Sequence, residues 1–188
     1  MPAERSPVPT RPEAMSDIEW LVALEEIRQL KARRDRYVDA HDWDGYASLH
    51  APDHVSHHAP DPRMGLVPEP WTSVDKMIEN IRKHMPEGFH SAHHSYDPEI
   101  HFDTLTRARG IWAVTAASVT TDADGEVVWG ISYGYYFETY EKRDGQWLFT
   151  SRRWQRHIGV HSQSGTDKVG VAFPATPLKG SDAFDEFG

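Results

Sequence analysis

Two nine-residue stretches concentrate the side chains best suited to proton transfer or metal binding. Residues 54–62 read HVSHHAPDP and residues 90–98 read HSAHHSYDP. Both follow H-x-x-H-H-x-x-D-P, and together they hold six of the twelve histidines. Imidazole changes charge near neutrality, so it can act as acid, base or metal ligand. A metal site requires three or more ligands converging at about 2.0–2.2 Å on one ion. On a regular strand His90 and His94 share one face and His93 points to the other. One copy therefore cannot complete a ligand set without a bulge. A site would draw on both copies, with Asp61 or Asp97 added. A general base asks for less: one histidine in a cavity and a carboxylate to orient it. One of His93 and His94 can face a cavity while the other faces outward or into a subunit contact, and this reading is preferred to a metal. For any one histidine taken alone, a solvated or structural role is the ordinary outcome.

The elements that must position these residues follow from periodicity. Ser16 with Glu19 forms a capping box, and apolar residues from Ile18 to Val38 keep helical spacing, predicting a helix to about Ala40. WDGYASLH is a second short helix before Pro52, and HVSHHA is a short strand. A Gly/Pro-rich loop runs from Met64 to Trp71, and TSVDKMIENIRKHM is a third helix capped at Thr72/Ser73. After Gly88 the period is that of strands: FHSAHHSY, PEIHFD, RARGIWAVTAASVTTD, EVVWGISYGYYFETYEKR and QWLFTSRRWQRHIGV. DADG at 122–125 and RDG at 143–145 are hairpin turns. The order predicts an α+β domain over 15–160, with helices packed on one face of a curved antiparallel sheet. Residues 1–14 read as a disordered leader and 161–188 as a loosely ordered tail that VGVAF can pin.

Composition narrows the function. The 188 residues suffice for one domain with a real core, and seven each of Trp, Tyr and Phe exclude a disordered chain. The net charge of −9 argues against nucleic acid or an anionic membrane as partner. With no cysteine there is no disulfide, thiolate zinc site or thiol nucleophile. No apolar run reaches a membrane span and no secretory h-region is present, so a soluble cytoplasmic protein is expected.

The segments RYVDAHDWDGYASLH, SAHHSYDPEI, TRARGIWAV and YEKRDGQWLFTSRRWQR, in that order and spacing, resemble the SnoaL-like branch of the nuclear-transport-factor-2-like superfamily. The resemblance is greatest to the bile-acid 7α-dehydratase, scytalone dehydratase and γ-hexachlorocyclohexane dehydrochlorinase group, and it covers about residues 16–158. No one motif is specific; their order is. The resemblance implies a cone-shaped α+β barrel, a pocket for a small cyclic molecule, and homo-oligomers (dimers or trimers) packed through sheet faces. It also implies a catalytic dyad, which falls on Asp39, four residues before Trp43, and on His93, six before Glu99. An arginine nine residues after Trp147 falls on Arg156. Two features depart from the pattern: Arg34 stands where the dehydratase has a helical Tyr, and Ala116 where it has an Asp. These departures weigh against a bile acid as substrate. A substitute hydroxyl would come from Tyr37, Tyr133, Tyr135 or Tyr136.

Arg152, Trp154 and Arg156 alternate onto one face of the last strand, and arginines facing a pocket suit an anionic or oxygen-rich substrate. Trp112 and Trp154, like Trp129 and Trp147, read first as core. The expected substrate-binding set is Tyr37, His94, Trp112, Tyr133, Arg152 and Trp154. The expected activity is that of a lyase without cofactor or metal, a dehydratase using His93 and Asp39 on a small hydrophobic cyclic, polyketide-like or steroid-like molecule. An isomerase or cyclase, a dehalogenating eliminase, a non-enzymatic small-molecule binder and a His-rich metal protein are the alternatives.

Overall fold

The computed structural model describes residues 10–58, 69–162 and 169–172. The first nine residues, most of the Gly/Pro loop with Asp61, and the tail beyond 172 lie outside the described residues. Helix α1 spans Asp17–Asp39 and opens on the expected capping box, with Ser16 and Glu19 each satisfying the other's backbone N–H. Its buried face joins Ala23, Ile27, Leu30 and Val38 to three charged residues, Lys31, Arg34 and Asp35. His41, at φ 55°, swings the chain out of the helix, and the Asp42 carboxylate accepts from Gly45 N–H to start α2, Trp43–Ser48. Strand β1 (His50–His58) follows, then α3 (Val74–His84), capped by Ser73.

The rest is strand. β2 is His90–Thr104, β3 Arg107–Thr121, β4 Val127–Arg143, β5 Gln146–Ser162 and β6 Val169–Ala172. FHSAHHSY and PEIHFD, expected as two strands, form one. Asp97 at φ 46° and a register shift between Tyr96 and Glu99 make a bulge that accommodates Pro98. Both expected hairpin turns form, with Gly125 at φ 85° and Asp144–Gly145 at φ 50° and 80°.

The sheet order is β1-β5-β4-β3-β2, with β6 also on β5. The long strands β2 to β5 pair antiparallel as expected, and the early strand β1 adds to one edge parallel to β5. No hairpin joins those two strands, so no tight turn dictates their direction. β1 and β2 lie at different ends of the order, so the curved sheet is mixed and stays unclosed. Ile27 and Leu30 of α1 pack on its inner face against Phe102, Trp112, Tyr140 and Phe149. Val38, Tyr46, Met77 and Ile81 join the three helices in a second cluster. Residues 10–14, expected in the leader, lie along the sheet: Phe102 N–H donates to the Thr10 carbonyl at 2.9 Å, and neighbouring Met15 is buried. β6 pairs with β5 as VGVAF suggested, beyond the expected boundary at 160. No helix among the described residues is long and apolar enough to cross a membrane.

Candidate active site

The site begins where two faces meet. Asp35 and Asp39 lie about one turn apart on one face of α1, and residues 91, 93 and 95 share one face of β2. Ser95 Oγ donates to Asp35 Oδ2 at 2.6 Å, and Ser91 Oγ donates to Asp39 Oδ1 at 2.7 Å. His93 lies between them: its backbone N–H donates to Asp39 Oδ2 at 2.7 Å, and its Nδ1 stands 2.6 Å from Asp39 Oδ1.

This geometry sets the protons. Half-burial alone would raise the Asp39 pKa. The hydrogen bonds from the His93 ring and backbone, its charge, and the Ser91 hydroxyl outweigh that, so the carboxyl sits below its ordinary range. An ionised carboxylate can only accept, so Nδ1 carries the shared proton. In the neutral ring the lone pair then falls on Nε2, and His93 lines a cavity of about 210 Å³. The arrangement can take a proton from carbon or return one to a leaving oxygen.

The wall around His93 is partly apolar, with Val38, Ile81, Phe89 and Trp154, and partly cationic, with Arg34, Arg152 and Arg156. Thus the structure brings Asp39, His93, Arg152, Trp154 and Arg156 to one place. It leaves four of the expected binding residues outside. His94 is exposed, because alternation turns it away from His93. Tyr133 is 44% exposed on the outer face of β4. Tyr37 packs between the two core clusters, beneath the Arg36 guanidinium. Trp112 is in the core, its Nε1–H bonded to the Tyr140 hydroxyl at 2.7 Å.

The pocket tyrosines are Tyr136 and Tyr46. Parity along β4 separates Tyr136 from Tyr133 and Tyr135, but which parity faces inward needed the register. Burial pushes the Tyr136 phenol up, so it stays protonated and can donate. Arg34, in place of the helical Tyr, donates from Nη1 to Asp35 at 2.8 Å and from Nη2 to the Tyr46 hydroxyl at 3.0 Å. Behind it Lys31 meets Glu138 at 2.5 Å, and Glu138 also accepts from the Tyr140 hydroxyl at 2.6 Å. Burial drags Lys31 down, only partly offset by Glu138 and Asp35. Burial would raise Asp35, but Lys31, Arg34 and Ser95 bring it below the ordinary range.

The two histidine copies do not converge. They sit on β1 and β2, at different edges of the sheet. His54, whose type would ordinarily be solvated, is fully buried and bonded to the Phe149 carbonyl and Ser56 hydroxyl at 3.2 and 2.9 Å. Among the described residues no group of three His, Asp or Glu is placed to hold a metal ion.

Comparison with known proteins agrees with this architecture. The sequence model of the SnoaL-like domain matches residues 20–153. A provisionally named scytalone dehydratase from Novosphingobium aromaticivorans superposes with a TM-score of 0.68 at 24% identity, over 87% of this chain and 100% of its own. A type 2 hexachlorocyclohexane dehydrochlorinase gives 0.64 at 14% identity, over 88% and 99%. A Mycobacterium tuberculosis protein of unknown function gives 0.60 at 21% identity, over 76% and 77%. At such identities these structures share the fold alone.

Proposed function

The chain belongs to the SnoaL-like domain family, and from that premise we propose that it is an acid–base lyase, a dehydratase of small cyclic hydroxy-carbonyl compounds. The observation that carries the reading is the His93 imidazole, held by Asp39 through Nδ1 at 2.6 Å on a residue that lines the cavity. His93 Nε2 takes the proton from the carbon next to a carbonyl. The electron pair of that C–H bond becomes the new double bond as the bond from the neighbouring carbon to its hydroxyl breaks. The leaving oxygen receives a proton from the imidazolium or from the Tyr136 hydroxyl, and water departs. Arg156 faces the oxygen on which charge develops. Asp39 touches no substrate: it holds the ring and stabilises the imidazolium. Proton transfer is all this chemistry requires, and the side chains present supply it. The dehydratase and dehydrochlorinase names among similar structures support elimination over isomerisation.

The test is turnover of cyclic β-hydroxy ketones, followed by ultraviolet absorbance of the conjugated product. Asp39→Asn and His93→Ala should each lower kcat by about 100-fold or more with unchanged circular dichroism. Full activity in His93→Ala would refute the assignment.

A further inference from the structure

Arg152 differs from the other buried cations around the cavity. It is 6% exposed and lines the cavity wall. Lys31 and Arg34 are balanced by Glu138 and Asp35. The obvious counter-ion for Arg152 is also Glu138, its partner across the β4–β5 pair. Glu138 is instead bonded to other groups, Oε1 to Lys31 at 2.5 Å and Oε2 to the Tyr140 hydroxyl at 2.6 Å. Among the described residues no carboxylate pairs with Arg152, and its Nε is buried without an acceptor. Its guanidinium rests on the Tyr136 ring at 5.0 Å, a ring already approached by Arg34 at 5.0 Å and Lys31 at 4.1 Å.

A guanidinium cannot shed its proton to relieve burial. An unpaired buried charge is strongly unfavourable until a partner arrives. Arg152 lines the cavity, and among the described residues none of that lining is Asp or Glu. A planar fork of N–H donors fits a carboxylate through two parallel bonds. Beyond it, Val38, Ile81, Phe89 and Trp154 offer apolar surface for a ring. We infer that the substrate carries a carboxylate, which Arg152 binds while the ring system lies against this apolar wall. The inference rests on the cavity being the substrate site, as proposed above, and adds the substrate's class.

Binding tests it without turnover, so it stands or falls separately from the role of His93. The probes are 2-naphthoate and its neutral isostere 2-naphthamide, titrated calorimetrically into the full chain near neutral pH. The acid should bind about tenfold or more tighter than the amide. Arg152→Gln should remove that preference, and Arg152→Lys should keep part of it. Equal affinities in the wild type, no binding of the acid, or an undiminished preference in folded Arg152→Gln would each overturn the inference. Inorganic phosphate displacing 2-naphthoate at equal concentration would overturn the carboxylate class. If Arg152→Gln does not fold, the acid–amide contrast in the wild type and in Arg152→Lys decides.

Discussion

Asp39 accepts three hydrogen bonds, and two come from one residue, His93. The backbone bond fixes where the strand sits against the helix, and the ring bond fixes which nitrogen is protonated. Nitrogen-15 NMR of the histidines should therefore find His93 as the Nδ1–H tautomer in the wild type. Asp39→Asn should return it toward the mixture of an unconstrained imidazole, and an unchanged tautomer would show that Asp39 does not set it. At this scale the sequence was partly legible. Position relative to Trp43 and Glu99 singles out Asp39 and His93, through family resemblance and not through the histidine repeat. Ser91 was missed, although it sits two residues from His93 and thus on the same strand face. Tyr136 was one of four candidates, because choosing a parity requires knowing which face of β4 is inside. His94 and Tyr133 fall on the outer face for the same reason.

At the scale of elements, α1 buries charge where an amphipathic helix would bury only apolar residues. Lys31 and Glu138 are 1% and 0% exposed side chains held together across 107 residues of sequence. Breaking such a pair leaves one charge stranded, which costs about 3–5 kcal/mol. Lys31→Met and Glu138→Leu should each destabilise by that order in urea unfolding. The double variant should lose less than the sum of the two, and strict additivity would show that the pair is not coupled. The helix itself was legible, since its capping box and apolar spacing are local signals. Its partner was not: nothing near Lys31 in the chain indicates Glu138. Hairpin turns were legible from Asp-Gly, whereas the parallel pairing of β1 arises from long-range docking with no local mark. Pro98 normally interrupts a ladder and so marks a break between two strands in the sequence, whereas the bulge at Asp97 absorbs it within β2.

Across the whole molecule, the unclosed sheet and the three helices enclose a cavity whose apolar and cationic sides derive from different elements. His50 and His54, on the edge strand β1, couple this architecture to pH. Burial holds His54 down at about 4 against an ordinary 6.5, and burial, with the nearby His54 charge, also depresses His50. A histidine depressed on folding contributes stability that is present above its unfolded value and lost as pH falls toward its folded one. The shift at His54 corresponds to about 3 kcal/mol. The unfolding free energy should therefore fall between pH 6.5 and about 4, and a flat profile over that window would contradict the burial of this pair. The general fold was readable from element order, but the wall that each strand presents to the cavity depends on register and bulges.

In the proposed function His93, oriented by Asp39, removes a proton from carbon. The most direct measurement is solvent-deuterium incorporation beside the carbonyl of cyclic ketones that lack a leaving group, followed by mass spectrometry. The wild type should exchange that proton, His93→Ala should not, and Asp39→Asn should be slowed by about 100-fold. Exchange in His93→Ala at the wild-type rate would contradict the account.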